Sequence, residues 1–328
     1  MLVNLKAKLL GAILCSLVAV LATIVADRYQ APVMLCALLL GLLLHSFYQH
    51  ENIQLGVNYC SRELLRFCVG LLGVRIAFAD IVSLGITPPL IVMVSMLLTI
   101  LFGVLFARVL ALPKVFGVLS GGAVAVCGVS AAAAISTVLP NDKSQEKYFA
   151  LTVIGITTFS TLSMIFYPII ASYLGFSDEL AGVFIGGAIH DVAQVIGAGY
   201  SISPEAGDVA TYIKLLRVAL LMPIVMMVFL AYKEKDSEMP GGVSAFIPSF
   251  LIMFFVLAFV KNLGLLPLWL IEIIRSMSSS LLVVAIAAIG VKTSLKQVFS
   301  VGWRPVLLMG SETVLLATLI ITGIICFY

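Results

Sequence analysis

A chain of 328 residues with 62% hydrophobic residues, 11% charged residues and a formal charge of +3 lies far from a soluble domain, in which roughly half the residues are apolar and about a quarter charged. With a mean hydropathy of +1.19 and apolar runs from end to end, it is no soluble enzyme on a single anchor, since each crossing of a hydrocarbon core of about 30 Å takes about 20 such residues. The scattered charge excludes a nucleic-acid surface or a polybasic lipid patch, and the continuously apolar runs exclude the alternating strands of a membrane barrel.

In chain order, windows of about 19 residues place eleven spans at 9–26, 31–47, 63–80, 87–111, 115–139, 148–173, 179–200, 209–232, 244–261, 268–290 and 303–327. Lys6 and Lys8 precede the first as in a signal peptide, but no small-residue cleavage site comes before Asp27-Arg28, so it reads as a retained helix. Between the second and third spans, Glu51 to Arg66 mixes charge with Ile53, Leu55, Leu64 and Leu65, which suits an interfacial amphipathic approach. Lys233 to Gly242 reads as a solvated loop. The whole chain, 1–328, reads as one transmembrane domain in approximate halves 1–175 and 176–328. Lys and Arg are in modest excess on the side that holds the N-terminus, which is therefore cytoplasmic.

Two internal likenesses occur. Gly73-Val74-Arg75, Gly85 and Pro88 recur at one constant offset as Gly290-Val291-Lys292, Gly302 and Pro305, and Gly121-Gly122-Ala123-Val124 resembles Gly186-Gly187-Ala188-Ile189. Short Gly/Ala likenesses also arise by chance, so duplication and coincidence both stand; duplicated halves are the usual plan of secondary transporters.

Three constellations could carry chemistry. In the small-residue run from Ser120 to Thr137, Gly121, Gly122 and Gly128 with Cys127 and Ser130 suit either an interrupted helix or a tight packing seam. An interruption would expose half-helix N-termini, each with about half a positive charge and free N–H groups, to a small anion. In the seventh span, His190 and Gln194 share a helix face with Asp191 beside it. They are either a hydrogen-bonded structural cluster or a cavity-facing site. Lys214 and Arg217 lie at i, i+3. From Val218 to Tyr232 is only about 22 Å of helix, so Arg217 starts inside the apolar slab and either snorkels or faces a substrate path. Glu312 is an acid without an evident partner. Neither HExxH nor CxxC occurs, and the six cysteines are dispersed, so no metal or other cofactor is expected.

The strings Cys127-Gly-x-Ser130-Ala-Ala-Ala, Phe159 through Met164 to Tyr167-Pro168, Gly187-Ala-Ile-His190-Asp191-Val-Ala-Gln194-Val-x-x-Ala198-Gly199 and Ala210-Thr-x-x-Lys214-x-x-Arg217-Val are similar to the YeiH-type sulfate exporter family. The match is densest between 120 and 225. The resemblance implies a bacterial inner-membrane protein related to bile-acid symporters and sodium/proton antiporters, with inverted repeats crossing at two discontinuous helices.

The expectation is an all-α polytopic secondary transporter of a small anion, with sulfate or sulfite export as the substrate reading, and not an enzyme. Gly121, Gly122, Cys127, Gly128, Ser130, Gln194, Lys214 and Arg217 would bind the anion, and His190 or Asp191 would carry a coupling proton, imidazole having an unperturbed pKa of about 6.5. Expected partners are the anion, a proton or else sodium, membrane lipid and a second copy of the chain. The rivals are a sodium-coupled organic anion symporter, a channel, and an intramembrane enzyme built on Cys127 with His190.

Overall fold

The computed structural model describes residues 2–29, 31–140, 145–232, 248–293 and 302–328, and among these the regular structure is helical throughout. In chain order the helices are α1 (Leu2–Tyr29), α2 (Val33–Leu43), α3 (Glu51–Tyr59), α4 (Leu65–Leu71), α5 (Phe78–Leu84), α6 (Thr87–Val109), α7 (Lys114–Ala125) and α8 (Val129–Val138). They continue as α9 (Gln145–Tyr173), α10 (Asp178–Ala188), α11 (Val192–Ile202), α12 (Pro204–Ala219), α13 (Leu221–Tyr232), α14 (Ser249–Asn262), α15 (Leu268–Lys292) and α16 (Trp303–Phe327).

Among the described residues, 6 stretches are long and apolar enough to cross a membrane: Lys8–Tyr29, Thr87–Val109, Glu146–Tyr173, Pro204–Tyr232, Leu268–Lys292 and Trp303–Phe327. Most other expected windows hold shorter apolar helices. The windows 115–139 and 179–200 are each split in two, into α7 with α8 and α10 with α11. The window 63–80 is also interrupted: α4 gives way to a 3-10 turn at Leu72–Arg75, and Ile76 is extended. Asn262 at the end of α14 clamps that interruption, donating to the Ile76 carbonyl (2.9 Å) and accepting from the Phe78 N–H (2.9 Å). Glu51 to Arg66, expected as an interfacial approach, forms α3, a π-helical turn at Cys60–Leu64 and the start of α4. The expected loop from Lys233 to Gly242 lies outside the described residues.

The described residues fall into two compact units, and each draws on both halves of the sequence. The first lies within Met1–Ser83, Ile196–Asp208 and Ser249–Ser294; the second lies within Leu84–Val195, Val209–Pro248 and Leu295–Tyr328.

In each unit one long helix buries its small residues and turns its large apolar ones outward. On α1 the small Cys15, Ala19, Ala22 and Ala26 are buried while Leu10, Ile13, Leu17, Leu21 and Ile24 are exposed. On α6 the stripe Ser95, Thr99, Gly103 and Ala107 is buried, and Leu90, Val94, Leu97, Leu101 and Leu105 face out. With lipid as solvent, apolar bulk gains nothing by turning inward, and association rests on close backbone approach over small residues. In the first unit α2 crosses α15 at Gly41 and Gly290, where a Cβ on either would sit 2.9 Å from the other's Cα. In the second, α7 packs on α6 through Gly117 and Gly121; a Cβ on Gly121 would lie 3.2 Å from Ile100 Cα.

This crossing is testable. Gly41→Val should cost about 1–3 kcal/mol through overpacking and lower the melting temperature in detergent, whereas Leu39→Val, at an exposed position, should stay within about 0.5 kcal/mol of the parent. Equal melting of the two variants would refute the close crossing.

Candidate functional site

The two split helices of the second unit meet at their breaks. α7 ends at Ala125, and the chain reverses through Val126 (φ −103, ψ −88), Cys127 and Gly128, whose φ of +67 only glycine adopts freely. The other break is Ile189-His190-Asp191, between α10 and α11, with Ile189 extended at ψ 143. A Cβ at Gly128 would lie 3.6 Å from the His190 carbonyl oxygen, so the two interruptions are in contact.

Helix ends leave their last carbonyls without intrahelical partners, and no water is at hand at membrane depth. Two cations of α12 supply the missing donors. Arg217 Nε donates to Ala125 O (2.9 Å), Nη2 to Val124 O (3.0 Å) and Ala125 O (2.7 Å), and Nη1 to Gly186 O (3.0 Å), Gly187 O (2.7 Å) and Ile189 O (2.8 Å). Lys214 Nζ donates to Val126 O (2.7 Å) and Ile189 O (2.9 Å). The guanidinium thus ties the C-terminal end of α7 to that of α10, a task for a planar fork of five N–H groups that no other side chain offers. Two helix C-termini, each about half a negative charge, also balance one cation. Gly186 makes the reach possible: a Cβ there would meet the Ala210 carbonyl of α12 at 2.5 Å.

This revises the roles expected for Lys214 and Arg217. Both are 0% exposed, so neither snorkels, and their donors engage carbonyls of the scaffold; in this conformation they do not face an open anion path. Gly121 and Gly122 are also relocated. They lie inside α7, not at a helix start: Gly121 is packed against α6, and Gly122 faces the Ile135 side chain while its carbonyl accepts from Val126 N–H (3.1 Å).

The opposite half-helix ends are differently furnished. Gly128 is the N-cap of α8, and the amides of Val129, Ser130 and Ala131 open that helix with no i−4 carbonyl within it. Ser130 is exposed, whereas Cys127 is buried in the turn. At the start of α11, Asp191 is half-buried and its N–H donates to Ser160 Oγ (3.1 Å). Gln194 in the first turn is 2% exposed, and its Oε1 has no partner among the described residues. His190 is fully buried, with Nδ1 3.2 Å from Val124 O and Nε2 2.9 Å from Thr313 Oγ1, so neither ring nitrogen is turned to Cys127 as a thiol base would be.

Sequence reasoning missed several partners. Ser120 donates to Glu312 Oε1 (2.8 Å), and Ser160 and Thr313 hold the second break. Their only sequence signal is a hydroxyl on an apolar helix. In the first unit, Arg75 pairs with Asp208 (2.8 Å), donates to Ser279 (3.3 Å) and stacks on Tyr200, whose hydroxyl donates to Asp208. Asp208 and Tyr200 had carried no signal of their own.

The fold and site define a polytopic α-helical membrane protein with two interrupted helices whose breaks meet. The family described as Conserved hypothetical protein 698 matches residues 9–309. A UPF0324 membrane protein of Chlorobaculum tepidum is 46% identical over 94% of this chain and 87% of its own length. The UPF0324 membrane protein TauZ of Paracoccus denitrificans is 42% identical over 96% of this chain and 94% of its own, and a Rhizobium meliloti relative 40% over 95% and 91%. No solved structure matches the chain. The chain belongs to this family of UPF0324 membrane proteins.

At about 0.6 kcal/mol per hydrogen bond in a membrane interior, the Arg217 contacts set a stability scale of roughly 3–4 kcal/mol and the Lys214 contacts roughly 1. Arg217→Met should therefore melt well below the parent in detergent and Lys214→Met only slightly below. A parent-like melting curve for Arg217→Met would show that the caps do not hold the breaks.

Proposed function

We propose that the protein is a secondary active transporter that moves a small anion across the bacterial inner membrane, with its N-terminus cytoplasmic and two inverted repeats among about eleven spans. The observation that carries this reading is the contrast between the two sides of the crossed breaks. The C-terminal half-helix ends are buried and capped by Arg217 and Lys214, while the N-terminal end of α8 begins with an exposed Ser130. Adding two cations, about −1 from two helix C-termini, about +1 from two N-termini and −1 from Asp191 leaves roughly one positive charge. A site of that sign suits an oxyanion, and sulfate or sulfite is the substrate class we favour.

In this mechanism the anion binds the first-turn amides of α8 with the Ser130 hydroxyl and Cys127 and Gly128 beside it, and Gln194 lines the second break. Lys214 and Arg217 act through the helix ends they neutralise. His190 and Asp191 carry the coupling proton. A second reading, a sodium-coupled organic anion symporter, draws on Gln194 Oε1, an oxygen acceptor without a partner among the described residues. The supporting relationship is membership of a family of membrane proteins.

The test is transport by purified protein in liposomes. Labelled sulfate and sulfite should enter by counterflow, respond to a pH gradient and ignore sodium; a response to sodium alone would favour the second reading, and no flux of any oxyanion would defeat both. Asp191→Asn should keep counterflow and lose pH-driven accumulation. Wild-type accumulation in that variant would remove Asp191 from the coupling step.

A further inference from the structure

We propose that Glu312 is a proton-binding residue of the transport cycle, seated in a carboxyl notch formed by Gly103 of α6 and Ser120 of α7. The inference rests on the transporter reading, and goes beyond it in naming a group apart from both helix breaks.

Glu312 lies midway along α16 and is 0% exposed. Its Oε1 accepts from the Ser120 hydroxyl (2.8 Å), and its Oε2 has no hydrogen-bond partner among the described residues. The notch is shaped for it: any Cβ at Gly103 would stand 2.5 Å from Oε1. The helices packed against α16 are α6, α7, α9 and α10. Their charged side chains are Arg108, Lys114, Glu146, Lys147, Asp178 and Glu179, all exposed or half-exposed at helix ends. On α16 itself, Arg304 sits over the Trp303 ring. None of them pairs with Glu312 among the described residues. The titratable group reached through the adjacent residue is His190, by its bond to Thr313.

A purely structural link between α16 and α7 would need only a neutral side chain that accepts from Ser120, and glutamine has the same shape. An acid at membrane depth is expensive unless it is paired or carries a proton, and such residues usually mark a conduction or coupling pathway. What glutamate adds over glutamine here is the ability to exchange that proton. A proton drawn from one aqueous phase forms an O–H bond on the carboxylate, and the same bond breaks when the proton leaves to the other phase; nothing is oxidised or reduced. α16 is well placed to join this step to substrate movement. Glu312 touches the first split helix through Ser120, and Thr313 touches the second through His190.

The experiment compares the full-length parent, Glu312→Gln and Ser120→Ala in phosphatidylethanolamine and phosphatidylglycerol liposomes. The probe is labelled sulfate, and infrared pH-difference spectra of the same proteins give a readout that needs no substrate. Glu312→Gln should retain sulfate counterflow, lose pH-driven accumulation down to the level of protein-free vesicles, and lose a carboxyl C=O band present in the parent. Ser120→Ala, which keeps the acid, should shift the pH profile and the band without abolishing either. Parent-like pH-driven accumulation in Glu312→Gln, or a parent band that survives the substitution, overturns the proposal. If the parent moves no oxyanion, the transporter reading fails and the infrared band alone decides whether Glu312 binds a proton. If Glu312→Gln does not fold, Ser120→Ala decides: an unmoved band refutes the notch.

Discussion

The arrangement at the two meeting breaks depends on one side chain's contact with the backbone. Interrupting a helix in a membrane strands its last carbonyls, which then need partners from elsewhere in the protein. One guanidinium serves both interruptions only if the two half-helix ends converge on it and if α12 runs close enough to deliver it. Both conditions show in the packing. Gly186 clears the path for α12, and Gly128 lets one break turn directly against the other. The small stripe on α6 then brings α7 close enough for Ser120 and Gly103 to share the Glu312 carboxyl.

Capping one set of ends also polarises the site. With two cations over two helix C-termini, about one positive charge is left on the capped side of the breaks, while the amides that open α8 and α11 are offset by Asp191. Lys214 and Arg217 thereby set the potential at the breaks through the carbonyls they cover. Their depth in the sequence left snorkelling and a substrate path open, and the observed contacts are instead with the ends of the broken helices.

How much of this is legible in the sequence depends on what each partner is made of. The membrane class, the long helices and the depth of Arg217 follow from hydropathy and length alone. The run around Gly128 suits an interruption, but Gly121 packs closely on α6 and Gly122 faces Ile135 of α8, and local sequence cannot separate these uses of the same residue. The second break contains no glycine at all; only its polar residues mark it. The partners of Arg217 are carbonyls, which every residue carries, so no motif could name them. Glu312 is unreadable for a further reason: the hydroxyl and the notch that define it lie on helices about two hundred residues earlier in the chain, at Ser120 and Gly103.

Proton accounting at the second break gives the arrangement its last feature. His190 Nδ1 faces the Val124 carbonyl, an acceptor, so Nδ1 carries a hydrogen. Thr313 Oγ1 lies 2.9 Å from Nε2 and 2.7 Å from the Met309 carbonyl, and has one hydrogen to give. With a neutral imidazole that hydrogen points to Nε2. With an imidazolium, Nε2 donates and the hydroxyl turns to Met309. The same heavy-atom positions therefore serve both charge states, and the change between them is the rotation of one hydroxyl on α16, one residue from Glu312. α16 thus contacts the second break through Thr313 and, one residue away, holds an acid against the half-helix that leads into the first.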